Sequence, residues 1–87
     1  MLNNITDKCF LVTGGCGFVG ANIVRKLVEL NVGRCIVVDD CFTGNPAFLP
    51  DSDTVEFHNG STNNVDLTRQ LIPEADFIIH AAAVNIM

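Results

Sequence analysis

Gly14, Gly15, Gly17 and Gly20 crowd in directly behind the apolar run Phe10-Leu11-Val12, and they constrain this chain more than any other feature. A run like Phe10–Val12 suits a strand buried on both faces. Gly15-Cys16-Gly17-Phe18-Val19-Gly20 reads G-x-G-x-x-G, and Gly14, Gly17 and Gly20 also space as G-x-x-G-x-x-G. Between a strand and a helix, such glycines make a tight turn. One permits the turn, one removes a Cβ that would block a pyrophosphate, and one lets helix and strand pack closely. The first amides of the helix then face the phosphates, and the helix dipole favours their charge. A lone glycine loop carries little information, but context supplies more. Asp39 ends the next apolar run at close to the separation of about 20 residues expected for a ribose-binding carboxylate. A P-loop needs Lys and then Ser or Thr after the last glycine, whereas Ala21-Asn22 stands there.

The remaining chain alternates strand and helix. Met1–Asp7 reads as a polar lead-in, and Lys8–Thr13 as the first strand. Gly17–Leu30 reads as a helix, with Val19, Ile23, Leu27 and Leu30 on its apolar stripe, Val24 and Val28 widening it, and Asn31 or Gly33 closing it. Arg34–Asp39 is the second strand. Cys41–Asp53 is loop-like, broken by Gly44, Pro46 and Pro50, with room for one helical turn at Pro46–Leu49. Thr54–His58 alternates, as a half-exposed or edge strand does. Asn63–Ile72 is a short helix with apolar Val65, Leu67, Leu71 and Ile72, and Phe77–His80 is the fourth strand. The fold class is α/β, the first part of a doubly wound parallel Rossmann sheet in strand order 3-2-1-4, with ligand at the switch point between strands 1 and 4.

Composition narrows the function classes. Ten acidic residues against five basic ones give a net charge of −5, which argues against non-specific nucleic-acid or anionic-membrane binding. No apolar run approaches the roughly 20 residues of a membrane span, and no signal peptide is evident. Cys9, Cys16, Cys35 and Cys41 form no C-x-x-C pair. They read as reduced thiols of a cytoplasmic protein that fill the core. Cys16 stands at a helix N-terminus, where a thiol pKa tends to fall, yet a loop-filling role is the simpler reading. Asp51 and Asp53 read as a solvated loop, not a metal site. His80 reads as a packed or hydrogen-bonded strand-end histidine, and His58 as facing solvent.

Thr13-Gly14-Gly15-Cys16-Gly17-Phe18-Val19-Gly20 resembles the TGGxGFxG signature of the extended short-chain dehydrogenases/reductases, above all the nucleotide-sugar epimerases and dehydratases of the UDP-glucose 4-epimerase kind. Val38-Asp39-Asp40 with Thr43-Gly44-Asn45 is similar to the segment where that family holds the adenine ribose. Asn59-Gly60-Ser61 resembles its glycine-acid pair, and Asp76-Phe77-Ile78-Ile79-His80-Ala81-Ala82 its D-x-V-[IF]-H-x-A-[AG] strand. The resemblance implies NAD as cofactor. Gly14, Gly17 and Gly20 would shape the pyrophosphate loop, with Phe18 and Val19 supplying amides. Asp39 would accept from the ribose hydroxyls, and Asp40 would add to the repulsion of a 2′-phosphate. Gly60 and Ser61 would lie at the adenine, where the family usually carries Asp at the position of Ser61. Ala81 and Ala82 would let the backbone pass close to the cofactor. Asn85 stands where some epimerases carry Lys.

Family catalysis also requires a Ser or Thr and a Tyr-x-x-x-Lys pair, and this chain of 87 residues has no tyrosine. The expectation is therefore an incomplete NAD(P)-binding Rossmann domain over residues 1–87 with no catalytic residue of its own, whose nucleotide-sugar substrate belongs to a longer form. The other readings are a non-catalytic NAD-binding module, an inactive truncated product, and a part of a 3-beta-hydroxysteroid-type or other extended-family dehydrogenase. Strand 4 would leave an open edge with an apolar patch at Phe77, Ile79 and Val84, prone to self-association.

Overall fold

The computed structural model describes residues 2–40, 45–60 and 64–81. Strands β1 (Cys9–Thr13), β2 (Arg34–Asp39), β3 (Val55–Asn59) and β4 (Phe77–His80) form one sheet in the expected order β3-β2-β1-β4. Every pairing is parallel, and Thr13 lies opposite both Val38 and His80, so β1, β2 and β4 end nearly level. Helix α1 (Phe18–Glu29) joins β1 to β2, and helix α2 (Val65–Leu71) lies between β3 and β4. Three turns of 3-10 helix, Leu2–Asp7, Pro46–Phe48 and Ile72–Glu74, complete the described elements.

Alternation along β1 and β2 sorts the core into two layers. Val12, Cys35 and Val37 meet Val24 and Leu27 of α1, with Leu49 beside them. Leu11, Ile36 and Val38 meet Leu71 of α2 on the opposite face. Topology explains the split. The chain steps one way from β1 to β2 to β3, then returns past two strands to β4. With crossovers of one hand, the reversal moves the connection to the other face. Both inner strands are covered twice, which is why they read as unbroken apolar runs.

Helix α1 ends in a Schellman turn. Asn31 adopts a left-handed φ of 61°, and its amide donates to Val28 O while that of Val32 donates to Leu27 O. Its buried face differs from the expected stripe. Gly20, Ala21, Val24 and Leu27 face inward, while Val19 and Leu30 are exposed. In α2, Leu71 is buried while Val65, its first residue, is exposed; Ile72, the expected last helical residue, is also exposed and opens the 3-10 turn that contains Pro73. The polar lead-in also departs from expectation. It winds into a 3-10 turn whose Ile5 packs on the α1 layer. The patch at β4 is real at Phe77 and Ile78, both about half exposed, whereas Ile79 is half-buried and Val84 lies outside the described residues.

Arg34 clasps the sheet from below on the α2 side. It bonds Glu56 of β3 through Nε and Nη2, and its Nη2 also reaches Glu74 Oε1 at 2.9 Å. His58 Nε2 lies 3.8 Å from Glu56 Oε1, so this half-buried histidine is an arm of the cluster and not a wholly solvated side chain. The Arg34 guanidinium holds the Glu56 carboxyl below its ordinary value, against an opposing effect of burial. Burial pushes the Cys35 thiol the other way, up to about 11, and that of Cys9 up as well.

A lowered folded-state pKa stabilises the fold fully above the ordinary carboxylate range, and that stability is lost as pH falls through the lowered value. Arg34 and Glu56 are 40% and 39% exposed, so screening keeps the effect to about 1 kcal/mol or less. Glu56→Gln should therefore lower stability near neutrality by that amount and flatten the acid limb below about pH 4.5, the two proteins converging in acid. Urea melts at several pH values check this, and superimposable acid limbs would remove the role.

Candidate functional site

The glycine turn stands at the carboxyl ends of the strands. Gly14 leaves β1 with a φ of 74°, a left-handed conformation that favours glycine, and its amide donates to Val38 O at 2.8 Å. Gly15 passes so close to β2 that a Cβ would meet Val37 Cγ1 at 2.4 Å. A Cβ on Gly20 would meet Gly14 O at 2.1 Å and Gly15 Cα at 2.7 Å, so α1 starts hard against the turn. Gly17 differs, because a Cβ there would find only Gly14 O, at 3.6 Å. Packing thus requires Gly15 and Gly20, while Gly17 borders open space.

The two helices begin in opposite ways. Asn64 caps α2 by accepting from Leu67 N, and Asp66 lies in its first turn. α1 begins at Gly17, without a side-chain cap and without an acid in its first turn. Its first-turn amides lack i−4 carbonyls within the helix, and its dipole has no carboxylate of that turn to meet it. An anion fits there, and the open space over Gly17 admits it. Phe18 and Val19, the first residues of α1, are exposed, Phe18 by 82%.

Asp39 ends β2 beside this turn. Its Oδ2 accepts from the Cys16 amide at 2.8 Å, and its carbonyl accepts from Gly60 N at 3.0 Å. Cys16 O in turn accepts from Asn45 N at 3.1 Å. Asn45 also caps the Pro46–Phe48 turn, its Oδ1 accepting from Ala47 N at 2.9 Å. The residues expected to hold a pyrophosphate and a ribose are therefore one bonded unit: the glycine turn, the end of β2, the turn after β3 and the loop at Asn45. Cys16 is wholly buried inside it, which fits the loop-filling role. Asp40 follows Asp39 and is exposed.

Other expectations have different outcomes. Ala81 is buried in the α1 layer with Val12 and Val37. Ser61, Ala82, Thr43, Gly44 and Asn85 lie outside the described residues. Sequence reasoning gave Thr13 no role, yet its Oγ1 meets His80 Nδ1 at 2.5 Å. The signal was available, since both residues end paired strands. Among the described residues, no group of three or more His, Cys, Asp or Glu could hold a metal ion, and no helix is long and apolar enough to cross a membrane.

Known proteins are similar to this chain in sequence and fold. Residues 10–86 match the model of the NAD dependent epimerase/dehydratase family. A dTDP-glucose 4,6-dehydratase of Mycobacterium tuberculosis is 36% identical over 76 residues, covering 84% of this chain. A putative UDP-glucose 4-epimerase of Methanocaldococcus jannaschii is 38% identical over 74 residues, again 84% of the chain. The chain spans 23% of the length of each. The crystal structure of the Bordetella bronchiseptica enzyme WbmF in complex with NAD+ superposes with a TM-score of 0.82 at 34% identity, over 88% of this chain and 23% of that one.

The glycine contacts separate packing from binding. Gly20→Ala should cost about 3 kcal/mol or more, because its Cβ meets backbone that cannot yield. Gly17→Ala should cost less than about 1 kcal/mol. Equilibrium unfolding of both variants measures this, and equal losses would mean that Gly17 is also a packing residue.

Proposed function

We propose, since the chain belongs to the NAD dependent epimerase/dehydratase family, that it is the NAD-holding part of an enzyme acting on a nucleotide sugar. One observation carries the reading: the uncapped start of α1, open over Gly17, lies beside a carboxylate bonded to the same turn. The amides of Phe18 and Val19 would bind the pyrophosphate at the helix terminus, and Gly17 would let it approach. Asp39 would accept from the ribose hydroxyls, one oxygen serving the Cys16 amide. Asp40 adds negative charge where a 2′-phosphate would lie, which favours NAD over NADP. Gly60 and Ser61 would border the adenine, and Ala81 and Ala82 would flank the cofactor at the mouth of β4.

When bound, NAD supplies a hydride acceptor, and in the proposed reaction a sugar carbon is transiently oxidised. These 87 residues include no tyrosine, so the Tyr-x-x-x-Lys acid/base pair of that chemistry is not theirs. Their share is to bind and orient the dinucleotide. We place the protein in the cytoplasm. Cys9, Cys16 and Cys35 are buried and not in disulfides, which supports a reducing setting. The net charge of −5 supports a role without nucleic acid. The outer edge of β4, with Phe77 and Ile78 exposed, supports self-association where nothing else pairs with it.

Calorimetric titration of the 87-residue chain tests the reading. NAD should bind, and NADP should bind at least about tenfold more weakly, a difference of roughly 1.4 kcal/mol. Asp39→Asn keeps an acceptor for Cys16 but drops the charge, so the preference should shrink. Gly17→Ala should fold and lose NAD. Absence of dinucleotide binding, or equal affinity for NADP, would overturn the reading.

A further inference from the structure

Strand β4 is four residues long and, among the described residues, pairs only with β1. It is fastened at both ends by side chains. At the lower end Asp76 Oδ2 accepts from Cys9 N at 2.8 Å, and Asp76 N donates to Cys9 O at 2.8 Å. At the upper end Thr13 Oγ1 meets His80 Nδ1. Thr13 and His80 are the last register pair of the two strands. The residue after Thr13 is Gly14, whose amide bonds Val38. This upper contact therefore lies one residue from the glycine turn, where the β1–β4 ladder stops and the crevice opens.

Thr13 is buried at this contact, whereas His80 stands exposed at the end of β4. Both line an apolar groove of about 210 Å³ on the α2 side of the sheet, with Leu11, Val38 and Leu71. The other polar side chain of the lining is Thr68, whose hydroxyl donates to the carbonyls of Asn64 and Val65 within α2. Thr13 itself is buried, so water does not replace a lost partner freely.

We propose that His80 is a positioning residue: by accepting the Thr13 hydroxyl proton at Nδ1, it latches β4 to β1 at the crevice mouth and holds the glycine turn in its phosphate-binding shape. The latch lies behind the turn, on the face opposite α1. It acts by fixing where β1 ends, and hence where Gly14 must turn. Its consequence for NAD rests on the function proposed above, whereas its effect on the turn does not.

The test compares Thr13→Val, His80→Leu, the double variant and His80→Asn in the full 87-residue chain. Two readouts are used, amide hydrogen exchange by NMR and NAD titration. The amides of Gly14 and Cys16, bonded to Val38 O and Asp39 Oδ2, should exchange faster in either single variant relative to amides of β2. NAD should bind roughly 3- to 10-fold more weakly, the effect of one lost hydrogen bond. The double variant should be no worse than either single one. His80→Asn should restore both readouts, because Asn Oδ1 stands the same number of bonds from Cα as His Nδ1. Uniformly faster exchange throughout the sheet, additive losses, or no rescue by Asn would overturn the latch. If the parent chain takes no NAD, the proposed function fails, and the exchange comparison still decides the latch.

Discussion

The absence of a side chain at position 20 is the constraint from which the site follows. Helix α1 starts where its third residue lies on the carbonyl of Gly14, a distance that no Cβ permits. That contact fixes the helix to the end of β1 and fixes its rotation. It leaves the helix N-terminus at the sheet's carboxyl edge, without a side-chain cap. A strand leading directly into a helix N-terminus concentrates the unpaired amides of the first turn at one place. The positive end of the dipole is then set at the point where the sheet reverses its winding order.

The rotation accounts for the one misreading of α1. A stripe drawn through large apolar residues centres on Val19, Ile23, Leu27 and Leu30. The glycine contact turns Gly20 and Ala21 inward instead, and the buried line becomes Gly20, Ala21, Val24 and Leu27. Small residues contribute little to an apolar pattern but mark the closest approach of helix and sheet. Position in the turn therefore overrides hydrophobicity at the start of this helix, and Val19 and Leu30 are left toward solvent.

Much of the fold was legible because β1 and β2 are covered on both faces, so Leu11–Val12 and Cys35–Val38 stand out as apolar runs without any knowledge of pairing. The glycine spacing and Asp39 were legible for a related reason, since each is fixed by local geometry a few residues long. What stayed hidden depends on partners far apart in sequence. Thr13 and His80 are 67 residues apart, as are Cys9 and Asp76. Only the register of β1 against β4 brings either pair together. Ile5 was hidden in another way, as a single apolar residue in a polar segment whose burial depends on a 3-10 turn.

Asp39 joins the two kinds of information. One of its oxygens holds the Cys16 amide, so the carboxylate expected to choose between dinucleotides is also a strut of the phosphate turn. Cofactor preference and turn geometry are then coupled through one side chain. Replacing the acid by a small neutral residue, the direct route to admitting a 2′-phosphate, would also leave the Cys16 amide without that acceptor inside a buried loop, a loss of about 1–3 kcal/mol. Exchange of cofactor preference in this scaffold accordingly needs a side chain that keeps an oxygen at Oδ2 while losing its charge. Asparagine meets that requirement by geometry. Serine, one bond shorter, does not reach.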